Sequence, residues 1–366
     1  MKLTIIREDI LPALQIVNGV VERRQTLPIL SNLLLKVGSK LLTLTATDME
    51  VELLVSLDRV SRSTGETTLP ARKLLDICRS LPEKAELTLD LEGDRASMIA
   101  GKNRFTLATL PAAEYPLIEI GELLAEISLP QKLLKGLLER TAFAMAQQDV
   151  RYYLNGLLLE IGGGKVRAVA TDGHRLALCD EQVETVNGEQ VQIIVPRKGV
   201  LELIRLLDEK GDNAIVKVSR NHIRVELGGL QFTSKLIDGK FPDYTKVIPI
   251  ESPTPVVGNR EELRQGFIRA SILSNEKYRG VRVTLEKNRL RALAHNPEQE
   301  EAEVDVEVDY SGASVEIGFN VSYLLDALAI IKTDKVRMTI TDPGASALIM
   351  PEGNTSCRYV VMPMRL

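Results

Sequence analysis

Three copies of one pattern run along this chain, and they limit its fold more than any other feature. The stretches NLLLKVGSKLLTLTATDME from Asn32, NGLLLEIGGGKVRAVATDGHR from Asn155 and RGVRVTLEKNRLRALAHNPEQ from Arg279 align, with Thr47, Thr171 and His295 at equal intervals. Each holds two alternating apolar runs around a short polar turn, which predicts a β-hairpin. The turns are Gly38-Ser39-Lys40, Gly162-Gly163-Gly164 and Glu286-Lys287-Asn288, where Gly and Asn accept the positive φ such turns need. Apolar residues at helical spacing follow each hairpin, over 69–81, 195–207 and 319–331, and precede it over 7–18, 129–146 and 260–273. A Pro opens the first two of the downstream helical patterns. Further strand-like segments, such as AELTLDL and RFTLATL, complete the unit. A unit of roughly 120 residues with two helices and many strands therefore occurs three times. The fold class is α+β, with domains at 1–122, 123–250 and 251–366 and a linker over 249–259.

The second copy contains VATDGHRLAL, in which Asp172 and His174, with Cys179 just beyond, raise the question of a hydrolase. The first copy carries Met49 and Glu50 where Gly173 and His174 stand, and the third reads AHNPEQ. The shared Ala-Thr-Asp is thus scaffold, and only the substitutions of one copy can form a site. A nucleophile elbow and a phosphate loop are both missing, and the three histidines are far apart. Nothing in the sequence points to an enzyme, a cofactor or a metal.

Of the residues, 44% are hydrophobic and 26% charged, the balance of a soluble globular protein. With no Trp and 4% aromatics, aliphatic packing dominates the core. No run approaches the ~18 apolar residues of a membrane span, and Glu8 and Asp9 interrupt what a signal peptide needs. No membrane association and a cytoplasmic location are expected. Cys78, Cys179 and Cys357 are odd in number and far apart, which fits neither a disulfide framework nor a metal site.

The formal charge is −4, yet the six helical windows together are net basic, so the acid excess lies elsewhere. Helices sharing one surface would attract phosphates although the whole chain is acidic; amphipathic helices with solvated charges are the simpler reading. The acids of EQEEAEVDVEVD (298–309) lack the spacing of a calcium loop and alternate with Val, as in a solvated or partner-facing strand. GKNRF (101–105) is a basic counterpart in the first repeat. Opposite charge and strand addition together suit head-to-tail association.

The stretches TLPILSNLLL (26–35), QQDVRYYLNG (147–156), VATDGHRLAL (169–178), TSKLIDGKFPDY (233–244), ILSNEKYRG (272–280), HNPEQEEAE (295–303), IGFNVSYLLD (317–326) and YVVMPMRL (359–366) resemble the bacterial DNA polymerase III β subunit family, the sliding clamps, across the whole chain. The chain departs from the family pattern at His295 and over 180–190 and 343–356, which read as surface loops. The resemblance implies three clamp domains, each with two helices packed on antiparallel sheets, and a head-to-tail dimeric ring whose helices face encircled duplex DNA. It implies a non-catalytic processivity factor of DNA replication, opened by a separate ATP-dependent clamp loader. The alternative is a monomeric peptide-binding scaffold that does not encircle DNA.

The family also implies site residues. A pocket for short linear motifs of DNA polymerases and repair proteins maps to Leu154, Thr171, Gly173, His174, Arg175 and Leu176. Pro242, Lys246 and Val247 follow, with Lys246 standing where Arg is common. Val360, Met362, Pro363, Met364 and Arg365 close it, and Asn320, Tyr323 and Ser346 edge it. Met side chains adapt to varied peptides. DNA contacts map to Arg24, Arg72, Gln148, Tyr152, Tyr153 and Lys198, with local packing as the alternative for Tyr152 and Tyr153. The homodimer interface maps to Phe105 and Leu107 against Ile272 and Leu273, the latter pair having buried helix core as its alternative. Lys102 and Arg104 are matched with Glu298, Glu300, Glu301 or Glu303.

Overall fold

A computed structural model describes residues 1–21, 27–61, 63–183, 186–188 and 190–365. The first repeat runs β1 (Lys2–Ile6), α1 (Arg7–Val17), β2 (Asn32–Val37), β3 (Leu41–Thr47), β4 (Val51–Asp58), β5 (Gly65–Pro70), α2 (Ala71–Ser80), β6 (Glu86–Glu92), β7 (Arg95–Ala100) and β8 (Asn103–Ala108). The second runs β9 (Leu123–Pro130), α3 (Gln131–Ala142), β10 (Gly156–Gly162), β11 (Lys165–Thr171), β12 (Arg175–Gln182), a short β13 (Val186–Gly188), β14 (Val191–Pro196), α4 (Arg197–Leu206), β15 (Asn213–Ser219), β16 (His222–Leu227) and β17 (Leu230–Lys235). The third runs β18 (Val256–Asn259), α5 (Arg260–Ser271), β19 (Gly280–Glu286), β20 (Arg289–His295), β21 (Glu301–Glu307), β22 (Val315–Asn320), α6 (Val321–Ile330), β23 (Lys335–Thr339), β24 (Ala347–Pro351) and β25 (Cys357–Val361). Apart from β13 the order of elements is identical three times.

The helices form where the periodicity places them. In α2 the buried face is Ala71, Leu74, Leu75 and Cys78, while Arg72, Lys73, Asp76 and Arg79 face water. The hairpin of the second repeat turns at Gly163 and Gly164, both with φ near +60 to +73, and Gly162 pairs with Lys165 across it. Such a two-residue turn with both φ positive matches the right-handed twist of its strands.

By compactness the chain divides into two units. One comprises Met1–Lys135, Thr185–Val191 and Lys198–Leu236. It contains the sheet β1-β6-β7-β8 and the nine-stranded sheet β13-β9-β15-β16-β17-β4-β3-β2-β5. The other comprises Gly136–Glu184, Gln192–Arg197 and Ile237–Leu366. It contains the eight-stranded sheet β14-β10-β11-β12-β25-β24-β23-β18 and the sheet β21-β20-β19-β22. The hairpin pairings and the pairings that join one repeat to the next are antiparallel. In the first unit β17 of the second repeat joins β4 of the first, with Leu230 opposite Val55 and Phe232 opposite Leu53. In the second unit β25 of the third repeat joins β12 of the second in the same way, with Cys357 opposite Cys179 and Tyr359 opposite Ala177. The flanking hydrogen bonds repeat too: Ser56 N donates to Gly229 O and Asp180 N to Ser356 O, each at 2.8 Å.

Three expectations need correction. Cys179 and Cys357 form a disulfide, with Cα atoms 4.2 Å apart, while Cys78 is free and buried. The two cysteines lie far apart in sequence and meet only because β25 docks on β12. Asp180 N to Ser356 O marks the neighbouring pair as hydrogen-bonded, so Cys179 and Cys357 occupy a non-hydrogen-bonded position, where opposed Cα atoms come closest. Second, 343–356 is not merely a loop: Ala347–Pro351 is β24, buried inside the eight-stranded sheet. Likewise 180–190 contains the end of β12 and β13. Third, the linker 249–259 ends in β18, whose Asn259 side chain caps α5 by accepting from Glu261 N and Glu262 N.

The Ala-Thr-Asp scaffold is the same turn in both copies. In the first, Thr47 Oγ1 donates to Val51 O, and Met49 N donates to Thr47 Oγ1, both at 2.9 Å. Asp48 Oδ1 accepts from Glu50 N at 2.8 Å and Val51 N at 2.7 Å. In the second, Thr171 Oγ1 donates to Arg175 O at 2.6 Å and Gly173 N to Thr171 Oγ1 at 3.0 Å. Asp172 Oδ1 accepts from His174 N at 2.9 Å and Arg175 N at 3.0 Å. Asp172 is therefore occupied in building a turn. Asp48 is also ion-paired with Lys198, and its side chain is only 4% exposed. Asp48→Ala is expected to cost about 2 kcal/mol, less than a fully buried pair because Lys198 is partly solvated. Urea unfolding of the variant measures it.

Candidate functional site

The second unit carries an apolar pocket of about 170 Å³. Its floor comes from the second repeat: Leu154 from the turn before β10, Thr171 from β11, Gly173 from the connection, and Arg175 and Leu176 from β12. One wall is Pro242, Asp243, Tyr244 and Val247, from the segment that follows β17. Val360 and Met362, from β25 and just beyond it, form another. Arg151 and Tyr153 complete the lining. Beneath it Leu158, Val169, Leu176, Leu178, Tyr244, Leu348 and Val360 pack as one buried cluster. This core fixes the floor, and β25 reaches it only by pairing with β12.

Of the expected residues, His174, Tyr323, Asn320, Ser346 and Lys246 edge the pocket without lining it, and Arg175 reaches from the lining to that edge. His174 is exposed, and its ring stacks on Tyr323, centroids 6.4 Å apart. Arg175 lies over Tyr323 at 4.7 Å, bonds Asp172 at 3.1 Å, donates to Phe143 O at 2.8 Å and pairs with Asp326. Its guanidinium thus ties α6 to the pocket floor. Asn320 caps α6 by accepting from Ser322 N at 2.9 Å. Ser346 Oγ approaches Met362 Sδ at 3.0 Å. Lys246 is well exposed and pairs with Asp243 at 3.1 Å. Past β25, Met364 N donates to Gly318 O at 2.7 Å; Pro363 is half-buried and Arg365 exposed.

Sequence reasoning missed Arg151, Asp243 and Tyr244, and placed Tyr153 only with DNA. Arg151 was hidden because its role depends on a loop closing back on Gly173. Its guanidinium donates to Asp172 O at 3.1 Å and to Asp149 Oδ2 at 2.8 Å, and its backbone N donates to Asp149 Oδ1 at 2.8 Å. A Cβ built on Gly173, where φ is +89, would lie 2.9 Å from Arg151 Nη1. The Arg151 side chain, with its hydrogen bonds, holds the Asp149 carboxyl down at about 2. A carboxylate lowered in the folded state stabilises the loop above the ordinary value of 3.8 and loses that effect as pH falls through about 2. A carbon-detected NMR titration of Asp149 is expected to show this low midpoint, and Arg151→Ala to return it towards 3.8.

The residues assigned to DNA are placed as follows. Arg24 lies outside the described residues. Arg72 is exposed on α2 and donates to Val21 O at 2.7 Å. Gln148 is exposed at positive φ, and Tyr152 is 57% exposed and edge-on to Tyr153 at 5.7 Å. Beside them Val150 is 95% exposed. Lys198 carries the ion pair with Asp48. Of the residues assigned to the dimer, Ile272 is 73% exposed just after α5, Leu273 is half-buried, and Leu107 is buried within its own sheet. Phe105 is half-buried; Arg104 is exposed on the edge formed by β8, and Lys102 is exposed in the turn just before it. Glu298, Glu300, Glu301 and Glu303 are exposed, at or before β21. Glu303 pairs with Arg291 of β20 at 3.0 Å, a partial neutralisation that the local sequence around 298–309 does not reveal. Among the described residues no His, Cys, Asp and Glu cluster could hold a metal, and no helix is long and apolar enough to cross a membrane.

Residues 1–119, 128–243 and 245–365 match, respectively, the N-terminal, central and C-terminal domains of the DNA polymerase III beta subunit family. The chain is 53% identical to the Beta sliding clamp of Pseudomonas aeruginosa, over the full length of both. It superposes on a crystal structure of a DNA polymerase sliding clamp from that organism with a TM-score of 0.97, at 52% identity and full coverage of both chains. A further structure of a Pseudomonas aeruginosa sliding clamp, bound to griselimycin, matches at a TM-score of 0.95 and 52% identity, again across both chains.

Proposed function

The chain belongs to the DNA polymerase III beta subunit family, and on that basis we propose that it is a sliding clamp, a processivity factor that encircles duplex DNA and tethers polymerases to it. The observation that carries this reading is the strand order. Within each unit, the last strand of one repeat pairs with the third hairpin strand of the repeat before it: β17 with β4, and β25 with β12. Two members of that series are left over, β8 of the first repeat and β21 of the third, and each ends its sheet. If the β8 edge of one copy takes the β21 edge of a second copy, every repeat has both neighbours and the assembly closes head-to-tail.

The register extends the same way. Phe105 is opposite Met98 as Phe232 is opposite Val225, so Phe105 corresponds to Phe232 and Tyr359. Val304 is opposite Ala292 as Val55 is opposite Leu44 and Cys179 opposite Ala168. The inferred junction therefore sets Phe105 against Ala302, Asn103 against Val304, and Arg104 against Glu303. Exposed Ile272 would be covered there. Three domains, 1–122, 123–250 and 251–366, from each of two chains would place twelve helices around the duplex. Their net basic character suits non-specific, salt-sensitive contact with phosphates, with Arg24, Arg72, Gln148, Tyr152, Tyr153 and Lys198 as candidates. Topology would retain the protein, so an acidic chain needs no high DNA affinity.

The pocket is the proposed anchor for short linear motifs of polymerases and repair proteins, and an ATP-dependent loader would open the ring in the cytoplasm. No catalytic step is assigned to the chain. The test is retention on nicked circular DNA after loading with loader and ATP. Linearising the circle is expected to release the protein. Persistence on the cut DNA would instead mean that direct contacts hold it.

A further inference from the structure

One partly buried polar cluster lies behind the pocket, and its strand residues belong to none of the roles assigned so far. Arg167, on β11, is opposite Glu160 of β10 and Asp180 of β12. Its side chain is 17% exposed, with those of Glu160 and Asp180 at 12% and 20%. Arg167 Nη2 donates to Asp180 Oδ2 at 2.9 Å and Nη1 to the Tyr244 hydroxyl, also at 2.9 Å. The same hydroxyl donates to Glu160 Oε2 at 2.8 Å, and Gln192 Nε2 donates to Glu160 Oε1 at 2.7 Å. Both groups that the Tyr244 hydroxyl meets, the Arg167 guanidinium and the Glu160 carboxylate, thus stand on strands of the eight-stranded sheet. Tyr244 itself is 8% exposed, and its ring is part of the pocket lining. It opens the short helical turn Tyr244–Val247, next to Pro242 and Asp243, which are also lining residues.

We propose that Arg167 is a positioning residue for peptide recognition, holding the 242–247 wall in place through the Tyr244 hydroxyl. A wall built from a segment outside any strand has no ladder to fix it. A phenol clamped between a guanidinium and a carboxylate supplies that restraint, because charge-assisted hydrogen bonds are the strong, directional ones. The proposal rests on the pocket being the motif-binding site.

The test uses the full chain and griselimycin, the compound bound by the Pseudomonas aeruginosa relative, with affinity measured by calorimetry. Tyr244→Phe, which removes one oxygen and little else, is expected to weaken binding about tenfold, and Arg167→Met by a similar factor. The double variant is expected to bind no worse than either single one, since both act through one contact. A purely structural role would lower the melting temperature without that coupling. Wild-type affinity in Tyr244→Phe, or independent losses that multiply in the double variant, would overturn the proposal. If Arg167→Met does not fold, Tyr244→Phe alone decides. Met362→Lys is the control for the pocket: should it bind griselimycin as well as the wild type, the pocket assignment itself fails and the positioning role with it.

Discussion

Asn103→Cys combined with Val304→Cys is expected to turn the protein into a covalent dimer under mild oxidation. The junction of β12 with β25 already carries a disulfide between Cys179 and Cys357. The corresponding pair where β4 meets β17 is Val55 and Leu230. The register relations make Val304 the third counterpart of Val55 and Cys179, and Asn103 that of Leu230 and Cys357. Asn103 is exposed and Val304 half-buried, as residues awaiting a partner strand should be. A non-hydrogen-bonded antiparallel pair brings Cα atoms to ~4.5 Å, within the range a disulfide spans. Non-reducing electrophoresis should show the double variant migrating at twice the chain mass, and each single variant at the monomer mass. No cross-link at micromolar protein would count against the β8–β21 junction. Ile272→Asp offers an independent check, because a charge on a residue 73% exposed in the isolated chain harms only a surface that is covered on association. It should shift sedimentation to the monomer while leaving the fold intact.

What the sequence disclosed, and what it withheld, follows the range of the interactions concerned. Hairpins and helices were legible because their signals are local: alternation through Leu42 and Leu44, or Leu74 and Cys78 one helical turn apart. The threefold unit was legible because Thr47, Thr171 and His295 repeat. The strand pairings that join one repeat to the next were not, since nothing near Leu53 indicates Phe232, and nothing near Cys179 indicates Cys357. The wall residues Asp243 and Tyr244 were hidden for the same reason. Tyr244 is held by Arg167 and Glu160, which look like ordinary alternating charges on two strands. The acidic run at 298–309 was visible, but Arg291, which neutralises part of it, lies on the preceding strand. The pocket residues came mainly from family resemblance, with the contrast between Gly173 and Met49 as the one independent clue.

That contrast yields the second large effect. If the pocket is the motif-binding site proposed above, Gly173→Met is expected to reduce affinity for the probe compound griselimycin about a hundredfold while leaving the protein folded. The first repeat shows that this turn tolerates a side chain: Met49 occupies the same place at φ 74 with the same four hydrogen bonds. Backbone strain at a left-handed position costs about 1–2 kcal/mol, which the turn evidently accommodates. The second repeat differs in what lies above the turn. A Cβ on Gly173 would meet Arg151 Nη1 at 2.9 Å and Nη2 at 3.0 Å, so the guanidinium must shift, and the rest of the Met side chain is expected to extend over the pocket that Gly173 lines. Loss of a central pocket contact of this kind is typically worth 2 kcal/mol or more. The reciprocal change, Met49→Gly, should leave affinity at the wild-type level, because in the first unit the place of Leu176 is taken by Glu52. That carboxylate is buried and accepts from Ile118 N at 2.9 Å. Beside it Tyr115, buried and hydrogen-bonded to Thr47 N at 3.2 Å, fills space close to the turn. One turn therefore serves two ends, a filled joint in the first unit and an open pocket in the second, and a glycine keeps the second one open.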